Sequence, residues 1–307
     1  MGLVIRKIML DIWKKNARLD AARKAKQSPP AGVASVRDLA YVDDGNRMHL
    51  LDVFYPENAQ GLLPTIFDVH GGGWVYGDKE LNEYFCMSLA SMGFAVVDIN
   101  YRLIPAVDLK AQVCDIFAAL HWLGRNGQNY RCDPEKVFLT GDSAGGHLSS
   151  LVTAINTNPK ALALYGLEQL PFEIRGICIN HGVPDLHNAK LAGKAVLREY
   201  ERFWFGKNPK SNPIYYKSSV TELADPVTYP PALVLTSKAD NLYRNSVQLI
   251  DFFDAGGYRY ESYIPDKKAA GGKLLGHVFN VLYPNWAEGV AANRAMTDFF
   301  KKQLQGE

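Results

Sequence analysis

The sequence predicts an α/β fold, with a mostly parallel central sheet, an antiparallel N-terminal hairpin, helices on both faces and a small helical cap. Three observations carry this prediction. Short apolar strand patterns alternate with helix-period patterns, and alternation of that kind builds a parallel sheet covered by crossover helices. The 307 residues are 47% hydrophobic and 21% charged, enough to bury a large core without staples. No apolar run approaches the roughly 18 residues that a spanning helix needs.

The first element is a helix of distinctive charge. Residues 1–26 hold eight basic and two acidic residues, net +6, which leaves −4 on the rest of a chain whose total is +2. Ile5, Ile8, Met9, Ile12 and Trp13 share one helical face. A basic amphipathic helix either packs on its own protein with its cations in water or lies on an anionic membrane surface. For residues 1–27 packing on the body is the favoured expectation. Arg6 and Lys7 interrupt the apolar stretch and no small-residue cleavage site follows, so a cytoplasmic protein is expected and a secretory signal is not. Met1-Gly2 opens like a myristoylation site, but position 6 is Arg. Ser28-Pro29-Pro30-Ala31-Gly32 closes the helix as a linker. The organisation read here is therefore a cap segment over 1–30 and a main domain over 31–307.

The strands and helices follow in turn. Val36–Val42 and Met48–Tyr55 flank Asp43-Asp44-Gly45-Asn46 as a hairpin. Thr65–His70 is a short apolar strand, Leu81–Ser91 a helix and Phe94–Asn100 a strand. Leu109, Val113, Ile116, Phe117, Leu120 and Leu123 recur at helical spacing over Asp108–Gly124. Asp133-Pro134 reads as a turn before the strand Val137–Thr140, with a helix from about Ser143. Ile174–Asn180, Ala232–Thr236 and Tyr258–Ile264 are further strands, and Leu242–Phe253 is a helix. Asn285 and Glu288 have the N-cap and N3 spacing of a last helix that runs to about Gln303. Residues 184–230 show few strand signals but two aromatic clusters, and read as a lid-like insertion over the sheet.

Composition excludes some classes of function. A near-neutral chain without a basic stripe is not expected to bind nucleic acid. Cys86, Cys114, Cys132 and Cys178 form no Cys-x-x-Cys, so neither a zinc ribbon nor a dithiol redox site is expected. A metal site from His181, Asp185 and His187 lacks any recognised ligand spacing. No metal and no cofactor are expected, and a homodimer is kept open.

In a sheet of this type ligands bind at the carboxyl ends of the strands, and the chemistry-bearing residues cluster there. Val137–Thr140 ends in Gly141-Asp142-Ser143-Ala144-Gly145, a Gly-x-Ser-x-Gly between strand and helix, which is the context of a nucleophile elbow. Glycines two positions either side remove side chains that would strike neighbouring backbone at so sharp a turn. The following helix aims its N-terminal amides at developing negative charge. Thr65–His70 ends in His70-Gly71-Gly72-Gly73-Trp74, where three glycines let the chain bare N–H groups toward a ligand. The Lys-Ser/Thr of a phosphate loop is missing. Together the motifs form an oxyanion loop upstream of a serine elbow. Chain order then requires an acid and a later histidine. His277, in Gly276-His277-Val278-Phe279, is the only histidine after residue 187. Asp240 follows the strand Ala232–Thr236 and is the natural acid, Asp266 is the runner-up, and Asp251 and Asp254 lie in a helix.

With His70–Trp74, Asn100-Tyr101-Arg102-Leu103, Gly141–His147 and Gly276–Phe279, the sequence resembles the α/β-hydrolase superfamily and, within it, the hormone-sensitive-lipase-like esterases, over roughly residues 36–304. The resemblance implies Ser143 as nucleophile, His277 as base and Asp240 as acid. It implies an oxyanion hole from Gly72, Gly73 and the Ala144 amide, with Gly71 as a further contributor. Trp74 and Tyr101 are expected to line the pocket, and the N-terminal helix to cover it, as helices often do in that family. The family usually continues Tyr-Arg-Leu with Ala-Pro-Glu, whereas Ile104-Pro105-Ala106 stands here. The function implied is hydrolysis of short-acyl or acetylated small-molecule or sugar esters through an acyl-enzyme. An aryl formamidase or amidase with the same triad, and a non-catalytic binding protein on this fold, are the alternatives.

Overall fold

Eight strands form one sheet in the order β1-β2-β4-β3-β5-β6-β7-β8. They are β1 (Val33–Ala40), β2 (Leu50–Pro56), β3 (Leu63–Val69), β4 (Ala95–Ile99), β5 (Cys132–Asp142), β6 (Ile174–Asn180), β7 (Ala232–Leu235) and β8 (Tyr260–Tyr263). The computed structural model describes residues 2–189 and 193–306, without the side chains of residues 2–6 and 9. β2 runs antiparallel to both its neighbours, and every other pair is parallel. The N-terminal hairpin is thus β1–β2.

Period-two alternation in the strands feeds two cores, one on each face. Phe67, Val69 and Leu139 face helices α3 (Leu109–Asn126) and α4 (Ala144–Asn156). Ile66 and Phe138 point the other way, toward α2 (Lys79–Ser91) and the C-terminal helix α10 (Ala287–Gln305). There the Phe138 ring stacks on Phe300 with centroids 4.6 Å apart. The remaining helices are α1 (Gly2–Lys24), α5 (Pro159–Tyr165), α6 (Lys194–Phe205), α7 (Val220–Leu223), α8 (Tyr243–Gly256) and α9 (Phe279–Leu282). Segment 184–230 supplies α6 and α7. Its Tyr200, Trp204, Tyr215 and Val220 are buried in the same core as α3 and α4, so the segment shares the body's core. Residues 190–192, within that segment, lie outside the described residues.

Two sequence expectations are corrected. Asp133-Pro134 is no turn ahead of a strand. β5 already begins at Cys132, and its register against β3 jumps from Pro64↔Asp133 to Thr65↔Val137. The turn chemistry survives inside that irregularity, where the Glu135 N–H donates to Asp133 Oδ1 at 3.0 Å. The last helix starts one residue after Trp286 without a side-chain cap. The Asn285 amide instead donates to Ser28 O at 3.3 Å, and Glu288 accepts from the Ala270 N–H at 3.2 Å. Tertiary partners on the linker and on the 266–276 loop take the groups that local capping would have used.

Helix α1 is tied to the body along its length. Trp13 donates its indole N–H to Tyr200 Oη at 3.1 Å, and Tyr76 donates its hydroxyl to Asp20 at 3.1 Å. Arg23 donates to Leu282 O at 2.7 Å, and Lys24 pairs with Glu83. Of the expected apolar face, Ile8, Ile12 and Trp13 line a cavity beneath the helix, while the Ile5 and Met9 side chains lie outside the described residues. Among the described residues no helix is long and apolar enough to cross a membrane.

Candidate active site

The serine turn is the sharpest feature of the chain. Ser143 sits between β5 and α4 at φ 53°, ψ −113°, a backbone conformation that costs on the order of 1–3 kcal/mol for a residue with a Cβ. Close packing holds it there. A Cβ on Gly145 would collide with the Val69 and His70 carbonyls at the end of β3, so only glycine lets the elbow approach its neighbouring strand. The Ser143 N–H donates to Asn180 O at 2.9 Å, anchoring the turn to the end of β6 as well.

From that turn the side chains run in a hydrogen-bonded line. His277 Nε2 lies 2.9 Å from Ser143 Oγ, and His277 Nδ1 lies 2.9 Å from Asp240 Oδ1. His277 is a quarter exposed while Asp240 is fully buried. The histidine loop carries a left-handed Val278 at φ 50° and is pinned to the β7 loop by the Ser237 hydroxyl, which donates to Leu275 O. Asp266, the other acid considered, pairs with Lys238 at the surface instead.

Asp240 has four donors. Oδ1 also accepts from the Leu242 N–H at 2.7 Å, and Oδ2 accepts from Thr236 Oγ1 at 3.1 Å and from His181 Nδ1 at 2.6 Å. Burial alone would raise this carboxyl, yet the bonds from His181 and His277 hold it well below the usual carboxylate range. His181 is itself buried, which lowers its affinity for a proton against the pull of Asp240. His181 directly follows β6. Its bond to the acid was missed, because β6 and β7 become neighbours only in the sheet. The imagined donor set of His181, Asp185 and His187 does not assemble. Asp185 Oδ1 accepts from the backbone of His187 and Asn188, and His187 Nε2 donates to Tyr215 O at 2.7 Å.

The glycine loop that follows β3 lines the same cavity as the serine. Gly72 and Gly73 take φ 110° and 59°, and a Cβ on Gly73 would strike the Trp13 ring. Among the described residues, no acceptor takes the N–H of Gly72, Gly73 or Ala144. Gly71 is a correction to the expected hole, since its N–H donates to Asp142 Oδ1 at 2.9 Å. Asp142 Oδ1 also accepts from Asn82 at 2.8 Å, and the same amide reaches Asp68 Oδ2 at 2.8 Å. Burial pushes the Asp142 carboxyl up, and pushes Asp68 to about 8 with the help of the Asp142 charge.

Trp74 lines the cavity as expected. Its indole donates to His147 Nδ1 at 3.2 Å, and His147 Nε2 donates to Ser218 O at 2.7 Å. Burial pulls His147 down to about 4, so it stays neutral and keeps the tautomer this chain needs. Tyr101 does not line the cavity, and this corrects the expectation. It is fully buried, its ring stacks on His70 at 4.4 Å, and its hydroxyl donates to His70 O at 2.9 Å. A residue at the end of β4 supports the loop from below and cannot reach past it.

Above the serine lies a cavity of about 730 Å³. Its walls are mainly apolar, with Ile12, Trp13 and Leu19 from α1, Val196 and Tyr200 from α6, and Val281 and Leu282 from α9. Asp142, Ser143, His277, Gly72 and Gly73 form its floor.

The reassignment of Tyr101 is checked by Tyr101→Phe. Loss of the bond to His70 O lowers the unfolding free energy by about 1 kcal/mol in urea titration and leaves KM for a p-nitrophenyl ester unchanged. A raised KM with full stability would return Tyr101 to the pocket wall.

Known proteins match this arrangement. The BD-FAE family model matches residues 51–251, a span that includes Ser143 and Asp240. Esterase LipQ of Mycobacterium tuberculosis is 31% identical over 215 residues, covering 67% of this chain and 49% of LipQ. The chain spans about half the length of LipQ and of a second curated mycobacterial relative, the probable carboxylic ester hydrolase LipM. Among solved structures, esterase B from Lactobacillus rhamnosis superposes with a TM-score of 0.93 at 30% identity, covering 99% of this chain and 96% of that one. The same esterase inhibited by a C4-C4 SN3 tributyrin phosphonate gives 0.92 at 31%, with the same shares covered. Serine turn, oxyanion loop, sheet order and these relatives agree: the chain belongs to the α/β-hydrolase superfamily, among its hormone-sensitive-lipase-like esterases.

Proposed function

We propose that this protein is a serine carboxylic-ester hydrolase acting through a covalent acyl-enzyme on esters with short, apolar acyl chains. The observation that carries the reading is the line Ser143 Oγ, His277 Nε2, His277 Nδ1, Asp240 Oδ1, with both links at 2.9 Å. All three positions are filled and mutually bonded, which argues against a non-catalytic binding role.

The chemistry follows from the geometry. Neutral His277 takes the Ser143 proton at Nε2 as Oγ attacks the ester carbonyl. Asp240 keeps the other ring proton on Nδ1 and balances the imidazolium that forms. The carbonyl oxygen becomes an oxyanion, met by the N–H groups of Gly72, Gly73 and Ala144, each such donor contributing about 3 kcal/mol to the transition state. His277 returns the proton to the leaving alcohol. Water then repeats the attack on the acyl-enzyme, with His277 again as base, and releases the acid.

The cavity lining supports the substrate class. An acetylated sugar would need polar partners along the walls, and these walls are chiefly aliphatic and aromatic. A tributyrin phosphonate on the similar esterase B points the same way. The N-terminal helix and the 184–230 segment serve as the cap, since Trp13 of one bonds Tyr200 of the other over the serine.

Ser143→Ala abolishes hydrolysis of p-nitrophenyl butyrate while the circular dichroism spectrum is kept; a mutant with wild-type turnover sinks the assignment. With the unaltered enzyme, kcat/KM for the butyrate exceeds that for the acetate by more than about tenfold, because two further buried methylenes contribute ~0.8 kcal/mol each. Preference for acetylated xylan or for N-formylkynurenine would move the reading to sugar esters or to the formamidase alternative. Because His277 supplies the base, His277→Ala abolishes hydrolysis of the butyrate, and a variant at wild-type rate counts against that role.

A further inference from the structure

We propose that His181 is a positioning residue for this hydrolysis, a second histidine that clamps Oδ2 of Asp240 so that the carboxylate cannot turn its other oxygen away from His277. The proposal rests on the reading of Ser143, His277 and Asp240 as a triad.

The geometry has four parts. His181 Nδ1 lies 2.6 Å from Asp240 Oδ2, the shortest of the four bonds to that carboxylate. The imidazole ring is fully buried and stands perpendicular to His277, with centroids 5.5 Å apart, and to Phe279 at 5.7 Å. Its backbone is held at φ 53°, and its N–H donates to Leu235 O at 2.7 Å, on the strand that leads into the Asp240 loop. Its Nε2 has no partner among the described residues.

A packing role alone does not account for these features. Burying an imidazole with one nitrogen unsatisfied is costly, and a strained backbone adds to the cost. The return is one charge-assisted bond to a buried carboxylate. The unpartnered Nε2 also fixes the tautomer: the single proton of the neutral ring sits on Nδ1, so His181 donates and Asp240 accepts. Without that donor, Oδ2 keeps only the longer Thr236 bond, and the carboxylate is freer to rotate about its Cβ–Cγ bond. The groups facing His181 that carry or share charge are Asp240 and His277. His181 does not line the cavity, so its effect falls on turnover and not on substrate binding.

The test compares His181→Phe with His181→Asn. The phenyl ring keeps volume and removes the donor, whereas the Asn amide can place its nitrogen near the Nδ1 position. Active sites are counted by phosphonate titration, so that misfolded protein does not enter kcat. His181→Phe is expected to lower kcat by about 10- to 100-fold, by analogy with removal of the group that orients a metal-bound histidine. KM should stay unchanged. His181→Asn recovers most of the loss. Wild-type kcat per titrated site in His181→Phe overturns the proposal. Proton NMR with ¹⁵N-labelled histidine, in which buried bonded imidazoles such as His147 also give downfield N–H signals, should lose one of those signals in His181→Phe, and an unchanged set overturns the clamp. Ser143→Ala with wild-type turnover would overturn the triad and this proposal with it. Ser143→Ala inactive beside a fully active His181→Phe overturns this proposal alone.

Discussion

The structure depends on one tight contact, the approach of the Gly145 backbone to the Val69 and His70 carbonyls at the end of β3. It lets β5 turn into α4 so abruptly that Ser143 is left at φ 53° with its side chain raised above the sheet. The same contact brings the N-terminus of α4 beside the loop that follows β3. Strain of this kind persists only where the surroundings over-determine it, and here they do. Buried strands flank β5 on both sides, Phe138 is locked into an aromatic stack beneath it, and the Ser143 N–H is bonded to β6.

Around that turn the polar groups are fixed by hydrogen bonds in a dry interior. Asp240 takes two donors on each oxygen, which uses up the acceptor capacity of a carboxylate and makes its orientation part of the fold. The oxyanion loop is held in the same way from below. Asp142 takes the Gly71 N–H, Tyr101 takes the His70 carbonyl, and His147 takes the Trp74 indole. Each of these supports leaves the Gly72 and Gly73 amides unused.

Helix α1 and the 184–230 segment join distant parts of the chain into one cavity wall. Trp13, near the N-terminus, meets Tyr200 and stacks on Tyr76, while Arg23 and Lys24 reach α9 and α2. A +6 helix on a −4 body is drawn to it in general, but these bonds decide where it lies. The amphipathic face then becomes cavity wall, lined by Ile12 and Leu19.

What the sequence by itself determined is whatever local chemistry dictates. Strand and helix periods gave the layers and nearly all the elements, because burial of alternate or every third to fourth side chain is a local pattern. The glycine spacing about Ser143 and after His70 marked the elbow and the loop, since only glycine fits those backbone positions. Chain order pointed to His277 and Asp240, which the structure brings to hydrogen-bonding distance. The tertiary structure decided everything that depends on neighbours remote in sequence. It set His181 against Asp240 across 59 residues, gave the Gly71 amide to Asp142, moved Tyr101 from the expected pocket wall to beneath the oxyanion loop, and absorbed the Asp133-Pro134 turn into a strand. The reason is physical. A buried donor or acceptor must find a partner, and which partner it finds depends on which strand ends lie side by side, a fact no single segment of the chain contains.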